Sequence, residues 1–180
     1  TLMEPTGKRV EFLKYACAQL GLVGVEFAKE RAEEAARKAW REQFDLASAR
    51  AVAALPMLAE YCLPLVKVGG NFLAMKGSSG EEELAAARGA IKKLGGEYRE
   101  TRTLHLPGGD TRTLILCKKI SQTPTAYPRN GGKIAVFVAI YRRSSQKPVT
   151  ILIVFYSHYK IVEFFHFRAL LGFSIVDFFL

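Results

Sequence analysis

The feature that most constrains the fold is a regular alternation of short apolar runs with amphipathic segments over residues 1–135. Strands alternating with helices of 10–15 residues favour a parallel sheet in an open α/β fold. A strand pair closing on Pro107–Asp110 predicts an antiparallel hairpin at one edge. The predicted strands are 1–4, 25–29, 44–49, 71–76, 98–106 and 111–118, and the predicted helices are 6–20, 32–40, 55–66 and 81–94.

Glycines mark several predicted element ends. Gly21 is expected to end the first helix, and Gly95–Gly96 the fourth, because glycine adopts the left-handed conformation that closes a helix. Gly69–Gly70 predicts a turn before the strand 71–76. The acidic residues that open the helix 81–94 favour its positive end.

Charge and cysteine content limit the class of protein. The 180-residue chain has 26 Lys and Arg against 17 Asp and Glu, a formal net charge of +9. This excess favours an anionic partner, either nucleic acid or an acidic membrane surface. Three widely spaced cysteines in apolar surroundings, Cys17, Cys62 and Cys117, predict buried free thiols in a reducing compartment. No histidine has zinc-ligand spacing, so no metal site is predicted.

The composition changes after residue 135, so we predict a domain at 1–135 and a separate tail at 136–180. The tail contains eight of the twelve phenylalanines and only two acidic residues. Its run 161–180 is about as long as a membrane span. Four polar residues interrupt that run, and each charge near a bilayer centre costs roughly 2.5–3.5 kcal/mol. An interfacial helix, an aggregation-prone strand pair and a reading-frame slip stay open for the tail, and its contact with a membrane is not ruled out.

Charged residues follow four of the predicted strands. Ligands of open α/β sheets bind at the carboxyl ends of the strands. Glu4 could accept hydrogen bonds from ribose hydroxyls, or be a solvated acid beside a helix. Ala32–Glu33 could lie beside an adenine, or Glu33 could only favour a helix N-terminus. Arg50 and Lys76 would together attract phosphate or carboxylate, unless they are solvated edge charges.

Several separate segments, in the same order along the chain, resemble the RsmG (GidB) family. The resemblance covers about residues 1–135. Members of that family are bacterial S-adenosylmethionine-dependent enzymes that methylate guanine N7 in 16S ribosomal RNA. The resemblance therefore implies a Rossmann-like class I methyltransferase sheet. The matching segments are TGKRVEFL (6–13), RAEE (31–34), FD (44–45), ARAVA (49–53), LAMKG (73–77), LPGG (106–109) with Arg112, KK (118–119) and TPTAYPR (123–129).

The resemblance also implies roles for particular residues. Glu4 matches an acid near the cofactor ribose, and Ala32 and Glu33 match the pair that flanks the adenine. Arg50 matches an arginine that lies with the cofactor and close to the reacting base, so it is the candidate catalytic residue. The candidate RNA-binding residues, which match basic positions that hold RNA or shape the site, are Lys8, Lys76 and Arg112. The implied cofactor is S-adenosyl-L-methionine, the implied partner is 16S ribosomal RNA or the small ribosomal subunit, and the implied location is the cytoplasm.

The chain departs from the family pattern in two ways. The glycine-rich loop and first strand of the family are expected before Thr1, and Glu4–Pro5 stands where Asp–Ser is more common. We therefore expect the strands 1–4 and 25–29 to lack a neighbour joining them to 44–49. We also expect a truncated chain that binds the cofactor poorly and is inactive alone. A tail strand such as 149–155 could fill the gap.

Three other functions stay open at this point. The chain could be an RNA-binding remnant without catalysis, a membrane-attached protein acting through its tail, or a methyltransferase with a small-molecule substrate. For the leading interpretation no general base is needed, because guanine N7 carries a lone pair and no proton. Catalysis would then consist mainly of positioning the reacting groups.

Overall fold

The computed structural model describes residues 1–50, 53–106 and 108–129, and the backbone of Val138–Tyr141. These residues belong to one compact unit, Thr1–Arg142. Helices and strands alternate along it as the sequence predicts. They are β1 (Leu2–Met3), α1 (Gly7–Gln19), β2 (Phe27–Ala28), α2 (Ala32–Ala35), β3 (Phe44–Arg50), α3 (Leu55–Cys62), a 3₁₀ turn (Leu63–Leu65), β4 (Val66–Lys76), α4 (Gly80–Lys93), β5 (Gly96–His105), β6 (Thr111–Lys119) and β7 (Val138–Tyr141).

The seven described strands form one sheet in the order β2-β1-β7-β3-β4-β6-β5. β1 and β2 are parallel, as are β3 and β4, whereas β6 is antiparallel to both β4 and β5. The predicted α/β fold and its antiparallel hairpin are thus confirmed. The connection from β1 to β2 moves across the sheet towards one side, and the connection from β2 to β3 moves back across it towards the other side. Right-handed crossovers therefore place α1 on one face of the sheet and α2, α3 and α4 on the other.

The centre of the sheet differs from the sequence-based expectation. The sequence predicts that β1 and β2 have no neighbour towards β3, but β7 lies between β1 and β3 and is antiparallel to both. The main-chain groups that face the expected gap thereby gain partners, which removes the cost of leaving them unpaired. β7 begins three residues beyond the predicted domain boundary at residue 135. The other strand proposed for the gap, 149–155, lies outside the described residues.

The core lies between the sheet and the helices α3 and α4. α3 buries Leu55, Leu58, Ala59 and Cys62, a spacing that puts all four on one helical face. Phe44 of β3 and Phe72 of β4 are at most 1 % exposed and form the sheet side of this core.

The prediction that the three cysteines are buried free thiols is confirmed. Cys17, Cys62 and Cys117 are all buried and free. Burial raises the pKa of each thiol, to about 12 for Cys117, because the thiolate would lose its hydration. These thiols are therefore packing groups and not nucleophiles.

Gly69–Gly70 is not the predicted turn, because β4 continues through it. The pairing of β3 with β4 shifts between Phe44–Val66 and Leu46–Asn71, which defines a bulge at this point. A Cβ atom on Gly70 would lie 2.6 Å from the carbonyl oxygen of Asp45. Glycine is therefore required there because the main chains of two strands approach each other closely. The local sequence looks the same whether a glycine is needed for such an approach or for a turn.

Two helices are shorter than predicted. α2 ends at Ala35 and continues as turns, although the sequence predicts a helix to residue 40. α3 ends at Cys62 and continues as the 3₁₀ turn Leu63–Leu65 instead of running to residue 66, because Pro64 has no N–H to donate to the carbonyl four residues earlier.

Candidate cofactor and RNA site

The carboxyl ends of the parallel strands bring the predicted site residues to one edge of the sheet, called here the catalytic edge. Met3 of β1 and Ala49 of β3 are both paired with Val138 of β7. Glu4 and Arg50 each follow one residue later, so they lie at the same height along the strands, at the carboxyl ends of β1 and β3. Two strand spacings separate their main chains by about 10 Å. The winding direction reverses between β1 and β3, and this reversal is where ligands of open α/β sheets bind.

Glu4 is a buried carboxylate held in a fixed position. The residue is 2 % exposed, so it is not the solvated acid that the sequence left as one alternative. Its Oε1 atom accepts a 2.8 Å hydrogen bond from the Thr6 N–H and lies 3.8 Å from Nη1 of Arg9. The chain entering α1 thus orients the carboxylate at the end of β1.

The connection from β2 to α2 contributes further acidic groups. Ala32 and Glu33, in the first turn of α2, are 2 % and 4 % exposed. Oε1 of Glu33 lies 3.4 Å from Nη1 of Arg31. In the described part of the chain, the one buried side-chain oxygen or nitrogen without a hydrogen-bond partner is Oε2 of Glu30, two residues after β2. This connection therefore has an unused acceptor next to the catalytic edge.

Lys76 ends β4 as a buried cation. Met75 pairs with Arg50 across β3 and β4, so Lys76 lies one step beyond Arg50. Its Nζ atom is 2.7 Å from Oε2 of Glu83 and donates a 2.9 Å hydrogen bond to the carbonyl of Ala53. Its side chain is only 7 % exposed. The ammonium is therefore directed into the protein, away from the solvent from which RNA would approach.

Glu83 completes this arrangement and was not identified from the sequence. Its Oε2 atom also accepts a 2.8 Å hydrogen bond from the Leu55 N–H at the start of α3. Lys76 and Glu83 together hold residues 53–55, three positions after Arg50. The sequence shows Glu83 only as one of three acids in the first turn of α4, favourable to the helix dipole. Nothing in its spacing distinguishes it from Glu81 and Glu82.

The other predicted basic residues lie at the same edge. Lys8 is exposed in the first turn of α1, four residues after Glu4. Arg112 precedes Thr113, which pairs with Lys76, and its Nη2 atom is 3.0 Å from a carboxylate oxygen of Asp110. Arg50 is partly exposed. The catalytic edge thus combines buried carboxylates with accessible cations.

No group of three or more His, Cys, Asp or Glu side chains among the described residues is arranged to hold a metal ion. None of the helices in the described ranges has the length and apolarity needed to cross a membrane. The apolar run 161–180 lies outside those ranges.

Comparison with known proteins identifies the family. The family model described as rRNA small subunit methyltransferase G (GidB) matches residues 1–115. The protein named ribosomal RNA small subunit methyltransferase G from Lactobacillus delbrueckii subsp. bulgaricus is 48 % identical over 134 residues, 73 % of this chain and 56 % of that protein. The protein of the same name from Symbiobacterium thermophilum is 50 % identical over 139 residues, with the same shares covered. The chain thus spans about half the length of the curated relatives it matches.

The solved structures agree on the fold. A mutant of the 16S rRNA (adenine(1408)-N(1))-methyltransferase from Catenulisporales acidiphilia superimposes with a TM-score of 0.54 at 12 % identity. The match covers 71 % of this chain and 74 % of that one. This likeness places the sheet among Rossmann-like class I methyltransferase folds. The family model and the relatives that are 48 % and 50 % identical show that the chain belongs to the rRNA small subunit methyltransferase G family.

Proposed function

We propose that the catalytic edge binds S-adenosyl-L-methionine and serves methylation of guanine N7 in 16S ribosomal RNA, either free or within the small ribosomal subunit. The observation that carries this proposal is the placement of Glu4, Glu33 and Arg50 at one edge, where the winding of the sheet reverses, in a chain of this family. The partner is an RNA, which is consistent with the formal net charge of +9.

The residues at this edge fit the cofactor. Its ribose hydroxyls and its adenine amino group are hydrogen-bond donors, and the edge supplies buried acceptors. Glu4 would hold the ribose, and Ala32 and Glu33 would flank the adenine. The unpartnered Oε2 of Glu30 is a further buried acceptor beside them. The cofactor would supply an electrophilic methyl group.

The chemistry assigns the protein a positioning task. Guanine N7 presents a lone pair in the plane of the base and carries no proton, so no side chain needs to act as a general base. An unpaired or flipped-out guanine is needed for N7 to reach the edge. Arg50, close to the reacting base, would orient it, and the accessible Lys8 and Arg112 would contact RNA phosphates.

For Lys76 we propose the second of the two roles that the resemblance implies, which is to shape the site and not to contact RNA. Its buried ammonium, paired with Glu83, fixes residues 53–55 just after Arg50. Lys76 is then a positioning residue that acts through the chain carrying Arg50. Its loss is expected to lower methyl transfer more than RNA affinity, whereas loss of Lys8 is expected to lower RNA affinity.

The experiment compares two proteins in titration calorimetry with S-adenosylmethionine and in transfer of labelled methyl to 16S ribosomal RNA. One is the 180-residue chain, and the other is the same chain joined to the preceding segment of the Lactobacillus relative. We expect binding and transfer for the joined protein, and the comparison with the 180-residue chain measures what the added segment contributes to each. Chemical cleavage at N7-methylguanosine identifies the product. Methylation at another atom, or of free metabolites but not RNA, would refute the proposal.

Site variants of the joined protein test the individual roles. Glu4→Gln and Glu33→Gln are expected to weaken cofactor binding, and Arg50→Gln to lower transfer with smaller changes in cofactor affinity. Lys14→Gln is the matched control, because Lys14 lies in α1 and forms an exposed pair with Glu11. An Arg50→Gln variant with normal transfer would remove that residue from the site.

RNA binding without catalysis is the second candidate function, favoured by the accessible Lys8 and Arg112. It predicts that the joined protein binds RNA but transfers no methyl group. We further propose a catalytic domain that consists of residues 1–135 together with β7, and a cytoplasmic location. Three buried free thiols and a ribosomal substrate support that location.

A further inference from the structure

The segment Thr123–Arg129 lies against the helical layer and starts at the edge of the sheet opposite the catalytic edge. The Thr123 hydroxyl donates a 2.7 Å hydrogen bond to the carbonyl of Leu94, just before β5. The Thr123 N–H donates to Oε1 of Glu42, just before β3. Because β3 and β5 both begin there, these contacts place the start of the segment at the amino ends of the parallel strands.

Three cations from two parts of the chain, the turns after α2 and the end of α4, converge on this segment. Arg41 donates hydrogen bonds to the carbonyls of Tyr127, at 2.9 Å, and of Thr123, at 2.6 Å. Arg37 donates a 2.8 Å hydrogen bond from Nε to the carbonyl of Pro128. Nζ of Lys93, at the end of α4, lies 5.3 Å from the centre of the Tyr127 ring. We call the group formed by Arg37, Arg41, Lys93, Tyr127 and Arg129 the basic clasp.

The clasp is accessible and carries an excess of positive charge. Arg37 and Lys93 are exposed, and the side chain of Arg129 is 74 % exposed. Among the described residues, Glu60 pairs with Arg129 at 2.7 Å. Glu42 accepts the hydrogen bond from the Thr123 N–H and lies 3.1 Å from the buried Lys119. Several cations held close together on fixed main chain match the spaced charges of a nucleic-acid backbone better than they match a single small anion.

We infer that the basic clasp is a second RNA-binding surface, which contacts phosphates of structured RNA on the side of the protein away from the catalytic edge. This inference rests on the proposed function, whose substrate it extends. A ribosomal RNA is long enough to contact both edges at once. The clasp would add affinity and orient the protein on its substrate without contacting the reacting base.

The test measures binding of the full 180-residue chain to a fluorescently labelled RNA stem-loop by anisotropy, at salt concentrations from about 50 to about 200 mM. Lys93→Gln removes a cation without removing any main-chain hydrogen bond, and Arg37→Gln is combined with it. We expect the double variant to bind about tenfold more weakly, with a log–log salt slope smaller by about 1.4 at roughly 0.7 per phosphate contact. Lys14→Gln, on the opposite face, is the control and is expected to bind like the wild type.

Thermal melting of each variant separates a loss of contacts from a loss of structure. If Arg37→Gln lowers the melting temperature, the inference is tested with the Lys93→Gln single variant. Its log–log salt slope for RNA binding should then be smaller than that of the wild type by about 0.7. An unchanged salt slope and an unchanged RNA affinity would overturn the inference that the basic clasp binds RNA, and would leave the proposed function intact. Tighter binding to vesicles of anionic phospholipid than to RNA, lost in the same variants, would also overturn it. Loss of methyl transfer with RNA affinity retained would count against the proposed function alone.

Discussion

The pair formed by Lys76 and Glu83 gives the sharpest test of how this edge is built. The substitution Lys76→Met keeps an unbranched side chain, shorter by one heavy atom, and removes its charge. It leaves the Glu83 carboxylate with the Leu55 N–H and the Ser79 hydroxyl as its described partners, and it removes the donor to the Ala53 carbonyl. Residues 53–55, which follow Arg50, lose one of the two contacts that hold them.

The expected cost follows from the burial of the two groups. Removing one member of a fully buried ion pair costs about 3–5 kcal/mol. The Lys76 side chain is 7 % exposed but that of Glu83 is 23 % exposed, so water reaches the remaining carboxylate. We therefore expect Lys76→Met to lower the free energy of unfolding by about 3 kcal/mol. For a chain of this length that is a fall in melting temperature of roughly 6–12 °C.

A double-mutant cycle in urea unfolding measures the interaction itself. Glu83→Gln keeps an acceptor for the Leu55 N–H. It should lower the free energy of unfolding by a similar amount, because it leaves the Lys76 ammonium without a carboxylate partner. The double variant should be less destabilised than the sum of the two single variants by about 1–3 kcal/mol. Lys92→Met, an exposed change in α4, is the control and should stay within about 0.5 kcal/mol. Additivity of the two single variants within about 0.5 kcal/mol would refute the reasoning.

Three further predictions concern other parts of the fold. Gly70→Ala should destabilise the protein by at least about 2 kcal/mol, because its Cβ would meet the main chain of β3, whereas Gly77→Ala, which meets nothing within 4 Å, should be tolerated in the same unfolding assay. The hydrogen bond from Arg129 lowers the pKa of Glu60, so its stabilisation is fully present above the ordinary pKa of 4.5 and is lost as the pH falls through the lower folded value. Arg129→Gln should therefore flatten the acid side of the stability–pH curve, and an unchanged curve would contradict this assignment. Burial raises the pKa of Cys117 to about 12, so a thiol reagent at roughly pH 8 should modify it only at the rate of unfolding, and rapid modification of the folded protein would show the assignment to be wrong.

The sequence by itself determined the class of fold and the edge of the sheet at which the candidate residues lie. The alternation of apolar runs and amphipathic helices predicted the parallel strands and the closing hairpin, because strand and helix periods are local properties of the chain. The order of the elements then placed Glu4, Glu33, Arg50 and Lys76 at strand ends. Several separate motifs indicated the family, which the comparisons confirmed.

Only the tertiary structure decided how those strand ends are completed. The position of β7 between β1 and β3 depends on pairing between segments more than 85 residues apart along the chain, which no local pattern encodes. Glu83 as the partner of Lys76, and Gly70 as a bulge, likewise depend on which neighbour each residue meets across space. A charged side chain at a strand end has the same sequence signature whether it faces RNA or a buried carboxylate, and burial alone separates the two.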